Sequence, residues 1–288
     1  MRATIGNQRF INENLEKNKL DAKKKFGQNF LTDQNILTSI ADASEVDSDT
    51  LVIEIGPGLG SLTEHLCQRA GFVLCYEIDN DLIPLLEDNL KEYNNFIVIN
   101  KDILTVDINE DIKKYQKNLN KVYVVANLPY YITTPIILGL LSQTNLITRY
   151  VLMMQLEVAD RICGTPKTKD YNALSIAIGY RAKATKVVKV PRTVFIPSPN
   201  VDSAVVKLDL YDKPMYQALN EEHFFRFIRD AFKQRRKTLI NNLSSEYDKE
   251  FISKMFNDNN IKLNVRAEEL SIKDFVDLDN YIIHNYNK

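Results

Sequence analysis

The chain has 288 residues, 44% of them hydrophobic, which is enough for one large domain with its own core and a second, smaller domain. Its 37 basic and 38 acidic residues nearly cancel, which excludes a general attraction to nucleic acid and leaves only local clusters of charge. Cys67, Cys75 and Cys163 are isolated, without the paired spacing of zinc ligands or of a disulfide framework. With a polar amino terminus and no run of about 18 apolar residues, the composition predicts a cytoplasmic protein without a membrane span.

The amino-terminal stretch begins with a predicted helix over residues 9–20. Three consecutive lysines follow, namely Lys23, Lys24 and Lys25. They are candidate RNA contacts, although such a triplet is also typical of a solvated face. Residues 26–31 (FGQNFL) place amide side chains between aromatic ones, so we interpret them as a lid or brace over a ligand, ahead of a helix capped by Thr32 or Asp33.

A buried strand is predicted over residues 51–55 (LVIEI), and it runs into the glycine-rich turn 56–60 (GPGLG). Nicotinamide-binding turns have the spacing G-x-G-x-x-G and set a pyrophosphate on the amino terminus of the next helix. The tighter G-x-G-x-G spacing found here favours a ligand without phosphate lying along the backbone. The next helix is expected to begin at Ser61 or Thr63 and to continue through Cys67.

Three more predicted strands, over residues 72–76, 96–99 and 122–126, end at or near Glu77, Asp102 and Asn127, respectively. Counted from Gly56, successive positions are 21, 25 and 25 residues apart. Because parallel strands bring their carboxyl ends to one edge of a sheet, we expect one crevice to collect all four. There Glu77 is suited to bind two ribose hydroxyls and Asp102 to accept from an adenine amino group. Taken singly, each acid is more typical of a solvated loop.

The tetrapeptide at the end of the fourth strand is the candidate catalytic site. It consists of Asn127, Leu128, Pro129 and Tyr130. An amide oxygen beside a proline-stiffened backbone is suited to accept N–H bonds from an exocyclic amine, and an aromatic ring is suited to stack on its base. Such an amine is a poor nucleophile because its lone pair is delocalised, and hydrogen-bond acceptors help to localise that pair during attack. The alternative is a tight turn after a strand.

The following region has a fifth predicted strand over 150–154, helical patterns over 158–162 and 174–180, an exposed loop over 164–170, and a final strand over 204–208. Five basic residues occur without an acid among them: Arg181, Lys183, Lys186, Lys189 and Arg192. They are a candidate RNA surface or, alternatively, an edge strand protected from aggregation by lysines. Phe195 begins a proline-stiffened segment that is expected to hold its ring beside the crevice, with core packing as the alternative.

The composition changes near Lys213 to short amphipathic helices, so we predict domains at 1–212 and 213–288. A helix is predicted over residues 221–240. Near its end lie the further candidate RNA contacts Arg235, Arg236 and Lys237. A dense basic cluster suits phosphate contacts, but cations near the carboxyl end of a helix also complement the helix dipole.

Five motifs now stand in one order along the chain: 26–33 (FGQNFLTD), 54–60 (EIGPGLG), 127–130 (NLPY), 195–199 (FIPSP) with Val201 and Ser203, and 232–238 (FKQRRKT). In this order they resemble the ribosomal RNA adenine N6-dimethyltransferase family, specifically its small-subunit enzymes. The resemblance covers nearly the whole chain. It implies a class I S-adenosylmethionine-dependent methyltransferase fold, an α/β Rossmann-like domain whose seven-stranded sheet has one antiparallel strand, followed by a small all-helical domain. One departure is Asn29, where the family often has His.

The resemblance also implies a set of contacts to the cofactor S-adenosylmethionine, at Asn29, Leu31, Gly56, Glu77, Asp102 and Asn127. We expect four neighbouring residues to belong to the same site, namely Gln28, Gly58, Ile78 and Ile103. Tyr130 and Phe195 are expected to hold the target adenine between their rings. No metal is expected.

The leading hypothesis is methyl transfer to N6 of two adjacent adenosines in the 3′-terminal hairpin loop of 16S ribosomal RNA, carried out by a monomer on the immature small subunit. A second hypothesis is a 23S ribosomal RNA adenine methylase of the macrolide-resistance type. A third is a non-catalytic RNA-binding or transcription factor on the same scaffold, for which loss of Asn127, Tyr130 or Glu77 would be the signature. All three residues are present.

Overall fold

The computed structural model describes residues 5–20, 22–23 and 26–286. The chain forms two compact units, the first comprising residues 1–159 and 185–210 and the second comprising residues 160–184 and 211–288. The second unit includes residues 213–288, which we predicted as a separate domain, and also residues 160–184 and 211–212, which we placed in the first domain. Among the described helices, none combines the length and the apolar composition that a membrane crossing requires.

The strands form one large and one small sheet. Their bounds are β1 Phe30–Leu31, β2 Thr50–Ile55, β3 Phe72–Tyr76, β4 Phe96–Ile99, β5 Lys121–Asn127, β6 Arg149–Gln155, β7 Ala182–Val190, β8 Phe195–Ile196 and β9 Ser203–Leu210. Seven of them form a sheet in the order β4-β3-β2-β5-β6-β9-β7. The pairs from β4 to β6 are parallel, whereas β9 is antiparallel to β6. The fold class expected from the sequence, a mostly parallel sheet with an antiparallel strand, is confirmed.

The register of the central strands explains why their ends meet. Ile55 pairs with Tyr76, and Tyr76 pairs with Ile99, so β2, β3 and β4 end at the same level. Every residue of β2 is buried, as expected for a strand covered on both faces. The residue that follows each strand is therefore presented at one edge of the sheet.

Among the described residues, six α-helices precede β6: α1 Gln8–Lys17, α2 Gln34–Ser44, α3 Ser61–Cys67, α4 Ile83–Asn89, α5 Ile108–Gln116 and α6 Thr133–Gln143. Helix α2 begins where the sequence indicated, because the Asp33 carboxylate accepts hydrogen bonds from the main-chain N–H groups of Asn35 and Ile36. Helix α3 begins at Ser61, directly after the glycine turn. The glycine-rich turn over residues 56–60 therefore lies between the carboxyl end of β2 and the amino terminus of α3.

The small sheet was not predicted. In it, β1 and β8 run antiparallel, with Phe30 opposite Ile196 and Leu31 opposite Phe195. Two residues are too short a run to give a periodic signal in the sequence. The pairing joins the amino-terminal motif to a motif about 165 residues later, so both become part of one structure.

The remaining helices are α7 Leu156–Ile162, α8 Ala173–Arg181, α9 Glu221–Ala231, α10 Leu239–Leu243, α11 Lys249–Asp258 and α12 Ile272–Asn285. The second unit has its own aromatic core, in which Phe224, Phe227 and Phe275 are almost completely buried. The prediction of one helix over 221–240 is wrong beyond Ala231. There the Asn242 side-chain amide donates hydrogen bonds to the main-chain oxygens of Ala231 (2.7 Å) and Gln234 (3.2 Å), which satisfies carbonyl groups at the end of α9.

Candidate functional site

A pocket opens at the carboxyl edge of the parallel strands. Gly56, Glu77, Asp102 and Asn127 all line it, which confirms that the four strand-end positions share one crevice. The other residues named in advance as cofactor contacts, Gln28, Asn29, Leu31, Gly58, Ile78 and Ile103, also line this pocket. Their individual roles stay predictions, but the geometry of each can be described.

The glycine turn offers its main chain to the pocket. Gly56 and Gly58 have φ angles of +69° and +59°, a region that residues with a Cβ rarely adopt. A Cβ added at Gly56 would meet only the main-chain oxygen of Asn127, at 3.9 Å, so this face of the turn is open. A ligand is therefore able to approach the backbone closely at this point.

Glu77 is the acid best fixed in the pocket. Its residue is only 4% exposed, and its two carboxylate oxygens accept main-chain N–H bonds from Asp79 (2.9 Å) and Gly58 (3.2 Å). Burial raises the pKa of Glu77, and the two N–H bonds act in the opposite direction. A buried carboxylate held in one orientation next to an open glycine turn is suited to accept hydroxyl groups of a ribose.

Asp102 and the two isoleucines border the pocket at the ends of β3 and β4. One carboxylate oxygen of Asp102 accepts from the main-chain N–H of Leu104 (3.0 Å) and thereby begins a short 3-10 turn over Ile103–Thr105. Ile103 is buried, whereas Ile78 is 41% exposed, unusual for a large apolar side chain at the end of a buried strand. An exposed apolar side chain beside an acceptor suits a planar base carrying an amino group.

Asn127 has its side chain oriented by the main chain. Its amide nitrogen donates to the main-chain oxygen of Asn29 (3.3 Å), so its amide oxygen is the atom left to accept from a ligand. Leu128 is buried and its main-chain N–H donates to the oxygen of Met153 (3.1 Å). The main-chain oxygen of Pro129 accepts from the Thr133 hydroxyl (3.0 Å). The turn that carries Asn127 is therefore fixed on both sides.

Tyr130 is anchored through its hydroxyl group. The Tyr130 oxygen lies 2.6 Å from the hydroxyl of Ser203, a fully buried residue at the start of β9. Burial raises the pKa of Tyr130, and the bond to Ser203 opposes that rise. The ring lines the pocket in a single orientation, which is what stacking on a base requires.

The amino-terminal residues divide into two kinds. Leu31 is 4% exposed and belongs to a core cluster, and Asn29 acts through its main-chain oxygen. The polar atoms of the Gln28 side chain are both bonded within the protein. Its nitrogen donates to Asp79 (2.7 Å), and its oxygen accepts from the main-chain N–H of Lys23 (2.7 Å).

Phe195 lies in the core rather than at the pocket. It is 3% exposed, packs in the same cluster as Leu31 and Val205, and is absent from the residues that line the pocket. The expectation that its ring lies beside the crevice therefore needs correction, because the pairing of β8 with β1 turns this side chain inward. For Phe195 the structure shows core packing, which was the alternative given in the sequence analysis.

The cations considered for RNA binding are distributed over both units. Lys24 and Lys25 lie outside the described residues. Acidic partners occur in the pairs Lys23–Asp79 (2.6 Å), Arg181–Glu221 (2.5 Å), Lys189–Asp202 (2.9 Å) and Arg235–Glu268 (3.3 Å). The Arg192 guanidinium donates to the oxygen of Asn200 (3.2 Å). The remaining members of the set are exposed, namely Lys183, Lys186, Arg236 and Lys237.

Three residues near the pocket were not assigned a role from the sequence. Asp79 bonds to the amino-terminal residues, Ser203 anchors Tyr130, and Glu54 is a buried acid in β2 that lines the pocket. Asp79 follows Glu77 by only two residues, and both Glu54 and Ser203 lie inside the motifs quoted above. Proximity to a motif was thus the available signal for all three.

The pocket fits S-adenosylmethionine by the chemistry of its groups. The open glycine turn, the fixed Glu77 carboxylate, and Asp102 beside the apolar Ile78 match an amino acid portion, a ribose and an adenine. Within the described residues, no group of three or more His, Cys, Asp or Glu side chains is arranged to hold a metal ion.

Comparison with known proteins identifies the family. The family model for ribosomal RNA adenine dimethylases matches residues 19–284. The ribosomal RNA small subunit methyltransferase A of Lactococcus lactis is 47% identical over 267 residues, covering 92% of this chain and 91% of that protein. The protein of the same name from Bacillus mycoides is 46% identical over 274 residues, covering 93% and 94%.

Two solved structures agree. A dimethyladenosine transferase from Plasmodium falciparum has a TM-score of 0.74 at 26% identity and covers 88% of this chain and 97% of its own. The 23S rRNA methyltransferase ErmE has a TM-score of 0.68 at 25% identity, with coverage of 87% and 98%. The resemblance inferred from the five motifs is thus confirmed: the chain belongs to the ribosomal RNA adenine dimethylase family.

Proposed function

We propose that this protein transfers methyl groups from S-adenosylmethionine to N6 of two adjacent adenosines in the 3′-terminal hairpin loop of 16S ribosomal RNA. The observation that carries the proposal is the orientation of Asn127. Its amide nitrogen is engaged by the main chain of Asn29, so its oxygen is left as an acceptor in the same pocket as Glu77 and the glycine turn.

The chain's own groups account for the chemistry that such a transfer needs. S-adenosylmethionine supplies an electrophilic methyl group when bound. Glu77 and Asp102 would hold and orient the cofactor. As N6 forms its bond to the methyl carbon, the carbon–sulfur bond would break and the sulfur would leave as a neutral thioether, so no general acid is needed. The N6 proton becomes acidic only after attack, when the nitrogen is positively charged, and would then be lost to solvent, so no carboxylate is needed as a base. The Asn127 oxygen would accept an N–H bond from N6, which becomes stronger as that nitrogen gains positive charge during attack. Tyr130 offers a ring for the extruded base.

The choice of the small subunit rests on the relatives. Those with 46–47% identity over more than nine-tenths of the chain are named for the small subunit, whereas the 23S enzyme is 25% identical. We infer that the substrate is an assembling small subunit in the cytoplasm and that a monomer acts on it. Cations are exposed in both units, an arrangement that suits recognition of a folded RNA by shape and so supports the choice of substrate.

The third hypothesis, a non-catalytic factor, is less well supported. Its signature would be a degraded site, but Asn127, Tyr130 and Glu77 are present, fixed by hydrogen bonds, and lining one pocket. A scaffold that only binds RNA has no need to hold these side chains in such orientations.

The test is a methylation assay with labelled S-adenosylmethionine and three substrates: immature 30S particles lacking the modification, free 16S RNA, and 23S RNA. We expect label at N6 of adenosine in the particles and little in the other two. Preference for 23S RNA would favour the resistance-type hypothesis, and no transfer to any of the three substrates would contradict the proposal.

Asn127→Ala should lower the single-turnover rate at saturating cofactor by about 10²–10³-fold, the usual effect of removing a group that stabilises a transition state. Asn285→Ala is the matched control, since Asn285 is exposed on α12 and its side-chain amide donates to the main-chain oxygen of Tyr281 in the same helix. A rate for Asn127→Ala within about threefold of the control would rule out the role given to Asn127.

A further inference from the structure

Asp79 has an unusual number of partners for a loop carboxylate. It is 3% exposed, and its main-chain N–H donates to the carboxylate of Glu77 (2.9 Å). One carboxylate oxygen of Asp79 accepts from the Lys23 ammonium (2.6 Å) and from the main-chain N–H of Asp81 (3.2 Å), and the other accepts from the Gln28 side chain (2.7 Å). Acids are rarely this buried unless they are paired, so the contacts with Lys23 and Gln28 are what allow Asp79 to be buried here.

Two of the partners of Asp79, Lys23 and Gln28, belong to the N-terminal segment, defined here as Lys23 together with residues 26–29. Gln28 closes this segment on itself by accepting from the main-chain N–H of Lys23 (2.7 Å). Residues 26–29 line the pocket, and at the far end the main-chain oxygen of Asn29 accepts from Asn127 (3.3 Å). The segment is therefore bonded at one end to Asp79, in the loop that follows Glu77, and at the other end to Asn127.

We propose that Asp79 is a positioning residue that holds the N-terminal segment over the pocket and thereby couples cofactor binding at Glu77 to the orientation of Asn127. The inference rests on the proposed function. It assigns a structural task to Lys23 and Gln28, which the sequence had suggested as an RNA contact and a cofactor contact. Through the segment, one carboxylate influences both the binding of the methyl donor and the acceptor for N6.

The charge on Asp79 is what makes these bonds strong. Burial alone raises the pKa of Asp79, but the bonds from Lys23 and Gln28 outweigh it and keep the pKa below its ordinary value. Hydrogen bonds to a charged acceptor are about twice as strong as those between neutral groups. An isosteric but neutral side chain should therefore loosen the segment without emptying the space that Asp79 fills.

The experiment compares Asp79→Asn with Asp81→Asn. Asp81 is the matched control because it also contacts the Lys23 ammonium (2.5 Å) but is 56% exposed and makes no bond to Gln28. In Asp79→Asn we expect amide hydrogen exchange at residues 26–29 to accelerate roughly 10- to 100-fold, the equivalent of losing a charge-assisted bond. The Kd for S-adenosylmethionine, measured by calorimetry, should rise by about 10-fold or more. Asp81→Asn should change both by less than about threefold.

Kinetics separates positioning from a merely structural role. Loosening of the N-terminal segment should raise the KM for S-adenosylmethionine. It should also lower kcat, because Asn127 loses the main-chain oxygen of Asn29 that orients its amide. A structural role alone would lower the melting temperature and accelerate exchange throughout the first unit. In that case amide exchange in strands β2 and β5 would accelerate by the same factor as exchange at residues 26–29.

A second variant keeps the inference testable if Asp79→Asn does not fold. Lys23→Met with Gln28→Leu removes the same bonds from the side of the segment and leaves the loop of Glu77 intact. Wild-type exchange at residues 26–29 and wild-type affinity for S-adenosylmethionine in either folded variant would overturn the inference. If the wild-type protein itself bound no S-adenosylmethionine, the proposed function would fail instead, so the two failures are distinguishable.

Discussion

Glu54→Gln should change how the stability of the protein depends on pH. Glu54 is a buried residue in the middle of an apolar strand, with the thiol of Cys75 3.7 Å from its carboxylate. Burial raises its pKa to about 8, so the side chain is protonated near neutral pH in the folded protein. In the unfolded chain the same group titrates near its ordinary value of 4.5. Glutamine resembles the protonated acid in shape and has no charge to bury.

The expected magnitude follows from linkage. Between the unfolded and folded pKa values the native state holds one proton more than the unfolded state, so stability falls as pH rises, by about 1.4 kcal/mol per pH unit. The contribution of Glu54 is fully present below the unfolded value and is lost as pH rises through the folded value. From about pH 5 to about pH 7.5, the wild-type protein should lose about 3 kcal/mol relative to Glu54→Gln.

The assay is urea unfolding at a series of pH values, followed by far-UV circular dichroism because the chain has no Trp. Glu87→Gln is the matched control, since Glu87 is exposed on α4 in the same compact unit. Taking the difference between each variant and wild type removes the contributions of all other titrating groups. If the Glu54→Gln and Glu87→Gln differences were both flat with pH, the argument that Glu54 is protonated in the folded state would be refuted.

Three other predictions concern the anchor of Tyr130, the core position of Phe195 and the exposed cations of the second unit. Ser203→Ala should lower the single-turnover rate of methylation about 10-fold, because Tyr130 loses the hydrogen bond that fixes its ring. Tyr130→Phe should show the same loss, and unchanged rates in both variants would contradict the anchoring role of this bond. Phe195→Leu should lower the free energy of unfolding by about 1–2 kcal/mol in urea, as a core residue does, and an unchanged stability with a reduced rate would restore its role at the base. In the double variant Arg236→Gln with Lys237→Gln, the affinity for 30S particles should depend less steeply on salt. A plot of the logarithm of the binding constant against the logarithm of the salt concentration should become shallower by about 1–2, while the affinity for S-adenosylmethionine should stay unchanged.

The strands of the first unit were predictable because burial on both faces produces apolar runs that end abruptly at polar residues. The prediction for β3 and β4 coincides with the structure, and Gly56, Glu77 and Asn127 lie where their spacing indicated. The sheet edge is a local consequence of strand length and register. Sequence patterns capture such consequences well.

The failures share a different cause, namely contacts between residues far apart in the sequence. The Asn242 side-chain amide donates to the main-chain oxygen of Ala231, where helix α9 ends, and Phe195 is turned inward by the pairing of β8 with β1. Lys23 in isolation resembles a solvated cation, yet its partner Asp79 lies 56 residues away. No periodicity in the sequence records which distant group a polar side chain will meet.

These distant partners also change how the basic clusters should be interpreted. Several of the cations proposed for RNA contact form ion pairs within the protein, in the pairs Lys23–Asp79, Arg181–Glu221, Lys189–Asp202 and Arg235–Glu268. A paired cation must give up or share its acid to bind a phosphate, so it adds less to affinity than an unpaired one. The surface thus attracts RNA less strongly than the runs of Lys and Arg indicate, in keeping with the near-zero net charge. Weak attraction to any single strand, combined with exposed cations spread over two units, favours a substrate that presents many phosphates in a fixed shape. The proposal that an assembling ribosomal subunit is the substrate draws on this distribution of charge.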